Sequence, residues 1–211
     1  MMSLAYEKTF VRRQKIFVEH DPVRQVVLLT SGCVKEMQVS QNGGEVILRL
    51  DGPGDLVGPA WRLSKEHQSG AQAMQISNAF VWDADCFERL AIRFPVVHQN
   101  MARILEERLA AMQLRFREVA TDTAASRLSN ELLRLLDQMG QRVNGHIQIS
   151  LSREELAQLT ATSLFTVSRL LSKWEELGIV TAQREAVLVR DLSALAGVAQ
   201  TESRYTVRPS E

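Results

Sequence analysis

The chain has 211 residues, enough for one sizeable domain or two small ones at roughly 100–200 residues each. Its 45% hydrophobic and 24% charged composition is globular and excludes long disorder, collagen-like repeats and low complexity. Lys+Arg and Asp+Glu both number 25, with 11 of each sign in residues 1–95 and 14 of each in 96–211. A globally basic nucleic-acid coat is excluded, so any DNA contact must come from a local patch. No apolar run approaches the ~20 residues of a membrane span, and Met1 to Lys15 holds no apolar stretch of signal-peptide type. A cytoplasmic protein with no membrane partner is expected.

Seven of the 11 glycines lie in the first 70 residues. Between them sit short alternating runs, Val26 to Leu29 and Val46 to Leu50. Strands bounded by such turns predict a compact antiparallel β unit, with Asn42-Gly43-Gly44 as its clearest hairpin. A further strand is expected at Phe80-Val81-Trp82, then a short helix around Asp85 to Ile92.

After Pro95 the texture changes. From Val96 to about Val119 there is no Gly or Pro, and good helix formers dominate. Ala102, Leu105, Leu109, Met112, Phe116 and Val119 step by alternating fours and threes. That spacing predicts a coiled-coil-like dimer seam of about three heptads on a helix roughly 36 Å long. A second stripe, Met101, Ile104, Ala111 and Leu114, is expected to pack on the β unit, because two stripes need two partners.

A break at Thr121-Asp122-Thr123 precedes a helix from about Ala124 to Met139, with Gly140 as its expected cap. A short strand is expected from His146 to Leu151. Ser152-Arg153-Glu154-Glu155 then matches a capping box and opens a short helix with Leu156, Ala157 and Leu159 inward. Thr160-Ala161-Thr162 is a turn, and Ser163 caps a second helix, 164–177, whose buried face is Val167, Leu170, Leu171 and Trp174. Two helices joined by a tight turn describe a helix-turn-helix. Runs 179–182 and 186–189 flank Gln183-Arg184-Glu185 as a hairpin wing. The expected division is 1–95, 96–121, 122–195 and a mobile tail, 196–211.

In a helix-turn-helix the second helix enters the major groove. Its outward residues here would be Ser163, Leu164, Phe165, Thr166, Ser168, Arg169, Ser172 and Lys173. Arg169 is the long donor suited to guanine, and Leu164 and Phe165 suit thymine methyls. Arg153 and Lys173 suit phosphates. Against this, residues 121–191 carry eight basic and nine acidic groups, weak electrostatics that dimerisation would partly offset.

At these residues the chain resembles the CRP/FNR family of bacterial transcription regulators. Gly52-Pro53-Gly54-Asp55-Leu56-Val57-Gly58, the helix from Arg93-Phe94-Pro95, and Leu151 to Ala157 with Thr166 to Leu171 carry the resemblance, which covers about residues 10–195. It implies an α+β chain: an N-terminal double-stranded β-roll (jelly-roll-like) of the cyclic-nucleotide-binding type, a long dimerisation helix and a C-terminal winged helix-turn-helix domain. It further implies a homodimer on a two-fold symmetric double-stranded DNA site, with RNA polymerase as a partner.

The chain also departs from that family. Members that bind cyclic AMP carry Gly-Glu-Leu and an Arg-Ser pair for the cyclic phosphate. Here Gly58-Pro59-Ala60 and Ser69-Gly70 stand there, with no arginine at that place, and Met112-Gln113 replace the Thr-Ser pair that reads adenine. Cyclic AMP is therefore not expected. Nor is an iron–sulfur cluster, since the N-terminus has no cysteine cluster, nor haem, since His67 reads as a solvated loop residue and His98 as a surface or seam residue. Cys33 and Cys86 read as small buried hydrophobes. The family's usual acidic residue before Thr166 is Phe165, so the DNA half-site should differ. An effector cavity would be lined by Leu56, Gly58, Trp61, Ser69, Gly70, Ala71, Met74, Met112 and Gln113, an apolar lining suited to a neutral small molecule or filled by its own side chains.

No metal-spaced cluster, nucleophile motif or phosphate loop is present, and Gly52, Gly54 and Gly58 have the wrong spacing for a dinucleotide fingerprint. An enzyme is not expected. Two readings stand: an effector-modulated DNA-binding regulator, or a sensor/adaptor whose winged domain binds a protein partner.

Overall fold

Residues 5–58, 64–143 and 145–203 are described by a computed structural model. They fall in two compact units, Met1–Ala111 and Met112–Glu211.

In the first unit, β1 (Tyr6–Phe10), β3 (Gln25–Ser31), β6 (Leu56–Val57) and β8 (Ser77–Asp83) form one antiparallel sheet in the order β1-β8-β3-β6. β2 (Lys15–Phe17), β4 (Val34–Val39), β5 (Glu45–Asp51) and β7 (Gly70–Ala73) form the other, in the order β2-β7-β4-β5. Alternation decides the faces. Val27, Leu29, Ala79 and Val81 of the first sheet meet Val34, Ala71 and Ala73 of the second in one core, with Phe10 and Val57. Val26 and Trp82, one residue out of step, face the other way and seat Phe87, Leu90, Ala91 and Val97. The two packed sheets are the β-roll. The turn at Gly43 joins β4 to β5 as expected, with φ of +78° and Gly43 N–H donating to Ser40 O.

Helix α1 (Ala84–Arg93) is capped by Asp83, whose side chain accepts from the Asp85 and Cys86 N–H groups. Pro95 opens α2 (Pro95–Thr121), the position where a missing N–H costs nothing. The expected seam is exposed on this chain: Leu105, Leu109, Met112, Val119 and, at 75%, Phe116. Ala102 is exposed as well. Of the second stripe, Met101 packs on the Trp82 cluster, but Ala111 and Leu114 are exposed, which corrects the expectation that the stripe is covered along its length.

The second unit continues with α3 (Ala124–Met139), β9 (Gln141–Val143), β10 (His146–Ile149), α4 (Arg153–Leu159), α5 (Leu164–Glu176), β11 (Val180–Ala182), β12 (Val187–Val189) and α6 (Leu192–Ser203). Its sheet runs β11-β12-β10-β9, all antiparallel. Leu128, Leu132, Leu135, Ile149, Leu151, Leu156, Leu171 and Leu195 are fully buried in it.

Gly140 caps α3 as expected, at an ordinary φ of −62°; it is needed because a Cβ there would stand 2.4 Å from Leu136 O. One expectation changes here. The segment read as a tail from residue 196 is helical to Ser203. Asp191 accepts from Ala194 N–H at the start of α6, Leu195 is buried, and Ser129 and Ser126 of α3 donate to Leu195 O and Ala199 O.

Candidate nucleic-acid interface and buried polar clusters

The helix-turn-helix is built by its caps. Ser152 Oγ accepts from Glu155 N–H at 3.2 Å while Glu155 Oε2 accepts from Ser152 N–H at 2.9 Å, so the capping box is complete. Ser163 Oγ accepts from Thr166 N–H at 3.1 Å and starts α5. Between them Ala161 takes φ of +48°, and Thr162 N–H donates back to Ala157 O. Val167, Leu171 and Trp174 turn inward, as expected, while Leu170 is half-buried.

That fixes the outer face. Ser163, Leu164, Phe165, Arg169, Ser172 and Lys173 are exposed; Arg153, Thr166 and Ser168 are half-buried. Phe165 is 78% exposed, in an aqueous position where a helix ordinarily carries a polar residue. Helical spacing puts Phe165, Arg169 and Ser172 on one stripe.

Nothing in the sequence singles out Arg127. Its Nε donates to Thr160 O at 3.0 Å, Nη1 to Asp122 O at 2.8 Å and Nη2 to Ala161 O at 3.5 Å. One side chain of α3 thus holds both the turn of the helix-turn-helix and the α2–α3 junction. Beside it, Arg134 donates to both Glu118 oxygens at 2.8 and 2.9 Å and to Glu131 Oε2 at 2.7 Å. Arg115 Nη2 donates to Glu131 Oε1 at 3.1 Å. Burial opposes the charge on Arg134, but the Glu118 and Glu131 bonds hold its pKa above the ordinary value. These ion pairs tie the last turns of α2 to α3.

A second cluster lies in the first unit. Glu36 of β4 faces Arg49 of β5 and Ala71 of β7 in register. Its Oε1 accepts from Arg49 Nη2 and from Gly58 N–H, both at 2.5 Å, and its Oε2 accepts from Ser69 Oγ at 3.2 Å. Arg49 Nε lies 3.1 Å from Asp51 Oδ1. Arg108 of α2 donates to Gly58 O at 3.0 Å and to Leu56 O. Burial works against the Glu36 carboxylate, yet Arg49 and the Gly58 N–H hold its pKa below the usual glutamate value. Burial, then the Glu36 charge, push the Asp51 pKa well above the usual aspartate value. Burial, then Arg49, lower the Arg108 pKa.

The expected cavity residues divide. Gly58 and Ser69 hold the Glu36 carboxylate, Leu56 O accepts from Arg108, and Ala71 stands opposite Glu36. Gly70 pairs with Met37. Met74 lies past the other end of β7, its N–H donating to Cys33 O. Met112 and Gln113 are exposed, and Trp61 lies outside the described residues.

Three readings are corrected. The surroundings of Gly58 and Ser69 are charged rather than apolar, and arginine is present, because Arg49 and Arg108 arrive from β5 and α2 rather than from the neighbouring sequence. His67 is not solvated: it is 5% exposed, its ring stacked on Phe17 with centroids 3.6 Å apart. Burial lowers its pKa against the pull of Glu36 and Asp21. His98 is exposed on α2, Cys33 is buried and Cys86 half-buried. Among the described residues no His, Cys, Asp and Glu group could hold a metal ion, and no helix is long and apolar enough to cross a membrane.

Comparison with known proteins agrees with this architecture. Residues 7–94 match the cyclic nucleotide-binding domain model, and residues 126–198 match the Crp-like helix-turn-helix domain model. The cyclic AMP receptor protein of Thermus thermophilus is 30% identical over 201 residues, covering 94% of this chain and 91% of that protein. The anaerobic regulatory protein of Pasteurella multocida is 24% identical over 197 residues, covering 92% of this chain and 72% of that one. The crystal structure of a CRP/FNR-family transcriptional regulator from Thermus thermophilus superposes with a TM-score of 0.82 at 20% identity, covering 93% of this chain and all of that one.

Proposed function

We propose that this chain, which belongs to the CRP/FNR family of DNA-binding transcription regulators, works as a homodimer on a two-fold symmetric DNA site under the control of a signal other than cyclic AMP. Its family and structural neighbours are transcription regulators rather than enzymes. The observation that carries the reading is the outer face of α5, where Phe165 and Leu164 stand exposed beside Arg169.

In this reading Arg169 donates to guanine in the major groove, and Leu164 and Phe165 touch thymine methyls. Ser163, Thr166 and Ser168 supply hydroxyl contacts, and Arg153 and Lys173 contact phosphates. The exposed α2 stripe from Leu105 to Val119 supports the dimer: large apolar side chains at heptad spacing ask for a second copy. Residues 1–95 form the sensing part, 96–121 the dimerisation helix and 122–195 the DNA-binding part. The protein works in the cytoplasm with RNA polymerase, and the junction between α2 and α3 is the hinge.

Selection from random duplex DNA with purified protein tests this reading, followed by affinity of the winner against salt. The expected result is a palindrome with half-sites about one turn, ~34 Å, apart, whose affinity falls steeply as salt rises. The variant Phe165→Glu should select a different half-site; an unchanged motif would remove Phe165 from base reading. No enrichment, with or without added metabolite extract, would favour a protein partner for the winged unit, the reading consistent with its eight basic against nine acidic residues from 121 to 191.

A further inference from the structure

The Glu36 cluster has the parts of an anion-binding site. A backbone N–H, a hydroxyl and a guanidinium converge on one carboxylate, itself 6% exposed. Each part is held in place. Gly58 has φ of +95°, and a Cβ there would lie 3.0 Å from Phe17 Cζ and 3.4 Å from His67 Cε1. The stacked Phe17–His67 pair therefore walls one side of Gly58, and only glycine turns its N–H onto Glu36 without strain. Arg49 is tied to Asp51 as well as to Glu36. On the far side of the same glycine, Arg108 grips the carbonyl.

Charge is densely packed here. Two guanidinium groups, Arg49 and Arg108, stand by the Glu36 and Asp51 carboxyl groups, with Asp55 also acting on Arg108, and burial with the Glu36 charge pushes the Asp51 pKa up. A buried carboxylate is tolerated only where donors satisfy it. Here the donors match what the non-bridging oxygens of a phosphate would demand: amide, hydroxyl and a charge-assisted bond. A cyclic nucleotide does not fit this arrangement. Its phosphate would need the Gly58 N–H, Ser69 hydroxyl and Arg49 bonds that Glu36 already takes, beside a like charge.

We propose that Glu36 is the built-in occupant of this site: its carboxylate stands where a phosphate ligand would sit, so the native chain takes no phosphate, and removing the carboxylate opens a phosphate-binding site. The inference deepens the signal part of the function proposed above and rests on it only for the identity of the sensing unit. DNA binding is read separately, so the two can fail independently.

The test uses the full chain and two probes, inorganic phosphate and cyclic AMP, by calorimetric titration. The native chain should bind neither. Glu36→Ala should bind inorganic phosphate at least about a hundredfold more tightly than the native chain, the effect of freeing a charge-assisted donor set. Adding Ser69→Ala should cost that variant about tenfold, as one lost donor does. Binding of cyclic AMP by Glu36→Ala would extend the opened site to phosphodiesters; its absence would restrict the site to the free ion. Glu36→Gln keeps the shape and should stay closed. A native chain that binds either probe as tightly as Glu36→Ala overturns the proposal, as does a folded Glu36→Ala that binds neither. If Glu36→Ala does not fold, Glu36→Ser replaces it. The native Tm in phosphate against chloride at equal ionic strength needs no variant: equal values are expected, and a phosphate-specific rise overturns the idea.

Discussion

Among the described residues each unit buries a network of ion pairs, and the two are built to opposite plans. In the second unit a cation is at the centre: Arg134 lies between Glu118 and Glu131, with Arg115 on the far oxygen of Glu131. None of these four residues has a buried side-chain polar atom without a partner. In the first unit an anion is at the centre, Glu36, with Arg49 bridging it to Asp51, and the neighbouring His67 Nδ1 is buried without a hydrogen bond. A closed network belongs to a structural joint, where every group is spent on holding two helices. A network centred on a buried anion gathers donors instead, the arrangement that an anion of any origin needs. The comparison separates a cation held between two helices from an anion held inside a β-roll.

The largest way to break it is at the joint. Glu131→Ala, at a position 1% exposed, removes one of the two carboxylates on Arg134 and the Glu131 bond of Arg115 and should cost about 3 kcal/mol, read as the shift in urea midpoint at unchanged slope. Glu36→Gln should cost much less than that in the same assay. Next is the seam. Phe116→Ala removes two exposed rings per dimer, and the dimer should weaken by about 3 kcal/mol, measured by sedimentation across a dilution series while the monomer melt stays put. Third, Arg169→Ala should lose about 2 kcal/mol of affinity for the selected palindrome with no change in unfolding, since the side chain is exposed.

The smallest effect is a pH slope. Burial lowers the His67 pKa below 6.5, so the folded chain resists a proton that the unfolded chain accepts. Its contribution is complete above the unfolded value and is lost as pH falls through the folded one. The native chain should therefore lose more stability between about pH 7 and pH 5.5 than His67→Gln does. Equal slopes in the two melts would assign the acid sensitivity to other groups.

What was legible in the sequence is what is local. The capping box at Ser152, the Ser163 cap and the Gly43 hairpin each depend on residues within a turn or two of one another, and the structure holds all three; the heptad stripe on α2 is local in the same way, and its large residues lie exposed. Glu36, Arg49, Arg108 and Gly58 meet only after β4 has paired with β5 and α2 has lain beside them. No periodicity announces such a meeting. Ser69 has no arginine next to it along the chain, and the guanidinium of its cluster comes from across the sheet. His67 failed for the same reason, since its cover is Phe17, fifty residues earlier in the sequence. α6 hid differently. Its Ala- and Gly-containing run has weak amphipathic order, and it is held by hydroxyl bonds from Ser126 and Ser129 that no pattern of its own reveals.

Arg127 carries a mechanical consequence. Its guanidinium is a flat, stiff fork, and its three nitrogens grip the backbone oxygens of Asp122, Thr160 and Ala161. It acts as a bracket bolted to the chain before α3 and to the corner that aims α5. A twist applied at Asp122 is delivered to that corner through one planar group, without first bending α3. Lysine, a single point on a limp tether, could hold one bolt at a time, and the corner would then turn loosely on its own pivot.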